Sequence, residues 1–143
     1  MKQANVQVYA GVLSQVIDST TQNGSDLNDD FELLRKAIDD DKVADIDSDK
    51  LTKIQKHFQE GTDIYKENLL KLEKVAVPVK ILGRHKQLIK HYEDYTNACQ
   101  AMTDSINPED NSVVVEMFNQ SEKDQEAAIA AISNTTSRIM SAM

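Results

Sequence analysis

Tryptophan is absent from this sequence, cysteine occurs once, at Cys99, and proline only at Pro78 and Pro108. A lone cysteine excludes an intramolecular disulfide and leaves the redox compartment open. Four glycines and two prolines are too few for the many turns of a β-rich fold, so helix is the expectation. No apolar run of about 18 residues occurs, which argues against insertion into a membrane. The first twenty residues, MKQANVQVYAGVLSQVIDST, interrupt their apolar positions with Gln, Ser and Asp, where a secretory signal would be continuous. The chain is therefore expected to be cytoplasmic, to be exported by a non-classical route, or to have lost a leader.

Positive charge is also in deficit. Sixteen Lys and Arg stand against 24 Asp and Glu, giving a net charge of −8 and a pI near 4.8. Nucleic-acid affinity comes largely from basic side chains that neutralise phosphates, so a nucleic-acid partner is not expected. The 143 residues are read as one helical-bundle domain, 1–143. A chain of this size can bury about 68% of its unfolded surface and needs no staple.

What is present is a 3/4 rhythm of apolar residues. Val6, Tyr9, Leu13, Val16, Thr20, Gly24, Leu27, Phe31, Leu34 and Ile38 fall on one helical face. That phase runs through Asn23-Gly24, which would otherwise read as a turn, so one long helix is expected. Three more stripes follow, running from Leu51 to Val75, from Ile81 to Ile106 and from Val114 to Ile139. DDDKVADIDSD separates the first two helices, Pro78 restarts the chain after Val75, and Asn107-Pro108-Glu109-Asp110 resembles a helix start, with Pro at the first helical position and acids in the first turn. The expected fold is an all-α, elongated, up-down-up-down antiparallel four-helix bundle, with helices at about 4–40, 48–75, 78–106 and 109–142.

Folding the numbering about each turn predicts which residues face one another. About residues 76–77, Gly61 is placed opposite Tyr92 and Phe58 opposite Tyr95; about the first turn, Gly24 is placed opposite Tyr65. A glycine across from a tyrosine packs small against large, so Gly24→Val is expected to overpack the core. The same folding puts Thr20, Asn68, His85 and Ile132 in one polar layer, read as a device that fixes register.

Motifs that could carry chemistry are sparse. Asp45, Asp47 and Asp49 begin like a calcium loop, but Lys50 stands where the loop needs Gly and Lys56 where it needs a bidentate Glu, so helix capping is the better reading. His57 with Glu60, and His91 with Asp94, each place an imidazole and a carboxylate one turn apart. They are the candidate metal ligands, yet both histidines flank the core stripe, and solvated side chains are favoured over a metal site. No Glu-x-x-His pair of a di-iron bundle occurs. Cys99 falls on a core stripe, where its thiol would be masked, and no phosphate loop or nucleophile elbow is present. Catalysis is a minority reading and no cofactor is expected.

Charge placement is more informative. Residues 26–49 hold ten acids and three bases, whereas residues 66–90 hold seven bases and two acids. An up-down bundle puts these clusters at opposite ends. Lys80, Arg84, Lys86 and Lys90 are the candidate partner-binding residues, and the expected function is a non-catalytic interaction or adaptor module that binds another protein or itself. A carrier of a small ligand or metal in the bundle interior is the alternative. An adaptor of a specialised secretion system is a further one, although the Trp of WXG-type partners and a Tyr-x-x-x-Asp/Glu tail are both missing.

Overall fold

Asn5 Oδ1 accepts hydrogen bonds from the amides of Gln7 at 2.8 Å and Val8 at 3.3 Å, which satisfies two of the free donors at the start of the first helix. In this computed structural model, which describes residues 4–143, that helix, α1 (Val6–Asp39), runs through Asn23-Gly24 without a break. Its 34 residues span about 51 Å at 1.5 Å per residue. It ends in a Schellman motif, with Asp41 left-handed at φ 55°, the Lys42 amide on the Ala37 carbonyl and the Asp41 amide on that of Ile38.

Helix α2 (Ser48–Lys74) starts on Asp47, whose carboxylate accepts from the Asp49 amide, so the acidic loop caps a helix. Helices α3 (Leu82–Asp104) and α4 (Val115–Ala142) complete an antiparallel four-helix bundle. Two boundaries differ from expectation. The chain stays extended through Val75 and Pro78 and makes a 3₁₀ turn over Val79–Ile81, so α3 begins at Leu82, not at 78. Helix α4 begins at Val115, not at 109. The Pro108–Asp110 segment is a single 3₁₀ turn, Asn111 takes a left-handed φ of 50°, and β1 (Ile106–Asn107) pairs antiparallel with β2 (Ser112–Val113). Ser48 Oγ donates to the Pro108 carbonyl and Asn111 Nδ2 to that of Ile46, each at 2.8 Å, which ties this hairpin to the α1–α2 connection.

The longer α2–α3 connection shifts the facing pairs. Asn68–Tyr92, Tyr65–Tyr95 and Gln59–Gln100 centre near residue 80, not near 76–77. Gly61 consequently does not sit against Tyr92; its nearest neighbour is Leu27 of α1. Asn23, also buried, donates to the Gly61 carbonyl at 2.9 Å across the same α1–α2 approach. A Cβ on Gly61 would lie 2.6 Å from Leu27 Cδ1, whereas one on Gly24 would meet only Tyr65 Oη, at an ordinary 3.6 Å. The overpacking expected at Gly24 therefore belongs to Gly61. Gly24→Ala should raise stability by about 0.5–1 kcal/mol through helix propensity, and Gly61→Val should lower it by about 1–3 kcal/mol. Chemical denaturation of both variants checks the pair, and a Gly61→Val protein as stable as the parent would sink the close approach.

The core has two parts. Tyr9, Leu13, Tyr65, Leu72, Leu88, Tyr92 and Ile139 fill one end, while Leu34, Leu51, Ile54, Met102, Ile106 and Phe118 fill the other. The backbones of α3 and α4 approach most closely. Alanines 98, 101, 127, 128 and 131 line that seam and permit the approach. The α1–α4 seam is the loosest of the four around the bundle.

Candidate functional site

The antiparallel order puts the two charge clusters at opposite ends. Asp39, Asp40, Asp41, Asp45, Asp47 and Asp49 surround the α1–α2 connection, and Glu109 and Asp110 lie in the hairpin beside it. At the other end, Lys71, Lys74, Lys80, Arg84 and Lys86 surround the α2–α3 connection. Arg84 donates to the Arg138 carbonyl at 3.3 Å, which brings Arg138 to the same end. Sequence reasoning missed Arg138, although its place in the penultimate turn of α4 was a usable signal. Among the described residues Lys80, Arg84 and Lys86 form no ion pair. Lys90 differs: it bonds Asp94 at 2.7 Å, one turn along α3, and this carboxylate holds its ammonium above the usual lysine range. Val79 is 89% exposed and Leu82 39% exposed, so apolar surface sits among these cations.

The histidines are not brought together as paired metal ligands. His57 turns toward α1, where Nδ1 meets Asp30 at 2.7 Å and Nε2 meets Asp26 at 3.5 Å. The hydrogen bond to Asp30 is the main reason its imidazole is held protonated above the usual pH range. Glu60 lies instead within 4.0 Å of Lys56. His91 lines the α3–α4 seam with Asp94, on the other side of the bundle. Among the described residues no group of three or more His, Cys, Asp or Glu side chains is placed to hold a metal ion.

The expected polar layer is two layers. Thr20 and Asn68 meet through the Tyr92 hydroxyl, at 2.7 and 3.1 Å, and Asn68 also donates to Ser19. His85 sits nearer the basic end and bonds Tyr9 Oη and the Leu72 carbonyl, each at 2.7 Å. A carbonyl only accepts, so Nε2 carries the proton and Nδ1 accepts from Tyr9. Burial lowers the His85 pKa below its ordinary value, which keeps the ring neutral. Leu72 lies in the last turn of α2, so His85 caps one of that helix's free carbonyls.

Tyr65, Tyr92 and Tyr95 pack edge-to-face beside these layers, with ring centroids 4.9 to 6.5 Å apart. Cys99 lies against them, and burial pushes its thiol up to about 12, the opposite of what a nucleophile needs.

The loose α1–α4 seam leaves a groove along the bundle. A clasp joins the helices at its acidic end: Phe31 stacks on Phe118 at 5.9 Å between centroids, and Arg35 lies over the Phe118 ring at 5.3 Å. Arg35 also donates to Asn119 at 2.8 Å and reaches Glu122 at 3.4 Å. Beyond the clasp, a hollow of about 230 Å³ lies over Tyr65, Tyr95 and Cys99, with Glu122 and Glu126 at its edge. Further toward the basic end a second hollow holds about 400 Å³. None of the described helices is long and apolar enough to cross a membrane.

These features define an all-α four-helix bundle with opposed charged ends and a loosely packed α1–α4 seam. Protein-family models, curated proteins and solved structures provide no match to the chain.

Proposed function

We propose that the chain is a non-catalytic interaction module whose basic end docks an acidic surface of a protein partner. The observation that carries this reading is the combination at the α2–α3 connection: cations without internal ion pairs around Val79 and Leu82, whose apolar surface is left to solvent. An apolar centre inside a charged rim is the usual anatomy of a binding patch, with the charges guiding encounter and the apolar contact holding the complex. Lys80, Arg84 and Lys86 form the rim, Arg138 extends it, and Lys90 contributes less because Asp94 already engages it. The acidic end offers the same chemistry to a second copy, so end-to-end self-association is one form the docking takes.

Affinity capture from native lysate at low and high salt tests the proposal. An acidic partner should be retained at low salt, be released at about 0.5 M salt as screening shortens to a few ångströms, and be lost with Lys80→Glu/Arg84→Glu/Lys86→Glu. Sedimentation of the purified protein at low salt reads the self-association form. Capture that is indifferent to both salt and charge reversal would overturn the assignment.

A further inference from the structure

A shallow hollow of about 520 Å³ lies across the α3–α4 seam on the basic half of the bundle, and its lining is the reverse of the chain's acidic composition. Lys86 and Lys90 on α3 and Arg138 on α4 supply three cations, and Gln87 and Asn134 supply amide donors. Among the described residues no carboxylate lines it. The two helices run antiparallel, so Lys86 stands across from Arg138, and Lys90 across from Asn134. These two rungs lie about 6 Å apart, four residues at about 1.5 Å each. Half-buried Ala131 and buried Thr135, both small, form the floor.

The rungs differ in charge. Lys86 and Arg138 form no ion pair among the described residues, so the first rung holds two free cations. In the second, Lys90 is already bonded to Asp94 at 2.7 Å and faces a neutral amide. A terminal phosphoryl group carries about 1.5–2 negative charges near neutral pH, more than the inner phosphoryl it is joined to. The terminal group therefore suits the first rung, where the planar fork of Arg138 takes two oxygens and Lys86 adds a point charge. The inner group suits the second. A single carboxylate or phosphate reaches only one rung. The seam also continues past Lys90: a neighbouring hollow of about 580 Å³ shares His91 and Ala131 with the first and runs over Ala98, Ala101 and Ala128, with Asp94 and Asp124 in its lining. Its alanines leave room for the body of a ligand, and its carboxylates accept from hydroxyl groups.

We infer that the α3–α4 groove binds a small organic diphosphate of the nucleoside diphosphate kind, with its terminal phosphoryl on Lys86 and Arg138, its inner phosphoryl on Lys90 and Asn134, and its hydroxyl-bearing body over the alanines. Lys86 and Arg138 also belong to the rim proposed for protein docking, but Val79 and Leu82 do not line the hollow, so the two readings fail separately.

Amide NMR titration of the full chain with inorganic pyrophosphate, orthophosphate, citrate and ADP at matched ionic strength tests the inference. Pyrophosphate should shift the signals of Lys86, Lys90, Asn134 and Arg138. It should bind at least about tenfold more tightly than orthophosphate, which reaches one rung, and than citrate, which is similarly charged but has no paired phosphoryls. ADP should shift Asn97 and Ala101 as well. The double variant Lys86→Gln/Arg138→Gln should weaken pyrophosphate at least about tenfold. Asp94→Asn, which frees Lys90, should tighten it roughly two- to fivefold, whereas Asp63→Asn, an equal loss of charge on α2, should leave it unchanged. All four of these positions are exposed, so the variants fold as the parent does. Val79→Ser/Leu82→Ser, expected to release a protein partner, should bind pyrophosphate as the parent does. Orthophosphate or citrate binding as tightly as pyrophosphate, parent affinity in the double variant, equal responses of Asp94→Asn and Asp63→Asn, or ADP shifts that stop at Lys90 would each overturn the inference.

Discussion

A Phe118→Ala variant is expected to lose about 3–5 kcal/mol of stability, the usual range for truncating a buried aromatic. Phe118 is fully buried in the second half of the core, stacks on Phe31 of α1 and carries the Arg35 guanidinium on its ring. Its removal leaves a cavity and undoes the clasp where α1 and α4 meet across the loose seam. Denaturant unfolding gives the loss directly, and a penalty below about 1 kcal/mol would mean that other contacts hold these helices together. Arg35→Met provides a milder comparison, because it keeps much of the apolar contact while removing the bonds to Asn119 and Glu122.

His85→Leu should cost about 2–4 kcal/mol, since it leaves both the Tyr9 hydroxyl and the Leu72 carbonyl buried without a partner. The pH dependence then separates buried His85 from half-buried His57. The folded-state pKa of His85 lies below its unfolded value near 6.5, so its contribution is present above that pH and is lost as pH falls through the depressed value. His57 has the opposite sign. Its folded pKa is raised by Asp30 and Asp26, so its contribution is present below about 6.5 and is lost as pH rises through the raised value. The parent should therefore be most stable near pH 6.5, with the His85 contribution lost below it and the His57 contribution lost above it. His57→Gln should be most stable toward pH 8, and His85→Leu should lose stability between pH 6 and 8. Identical pH profiles for the two variants would refute the assignment of opposed protonation states.

The long first helix was readable because its apolar spacing holds its phase through Gly24, and tertiary packing then offsets the weak propensity of Asn-Gly. The second helix was readable for the same reason, helped by Asp47 as a cap. The start of α4 was not, because Pro108 followed by two acids opens a 3₁₀ turn as readily as an α-helix. Only the left-handed Asn111 and the pairing of Ile106 with Val113 decide between them. The polar layer was misplaced by one cause, the extended stretch from Val75 to Pro78, which displaces α3 along α2 and hands Asn68 to Tyr92 and His85 to Tyr9. The basic end was legible as a run of charges, since topology alone brings its members together. The lateral groove was not, because a stripe records which face is buried and carries no measure of how far apart two helices stand. Its nearest trace in the sequence is the set of alanines on α3 and α4, which draw those two helices together and leave the space on the side of α1.

That alanine contact also grades the molecule's resistance to local opening. Helices 3 and 4 form a stiff plank, and the first helix, resting on side chains alone along the fourth, is the board that lifts. Its amide protons should exchange with solvent ahead of those in the plank, so one edge of the bundle breathes while most of the polypeptide stays folded.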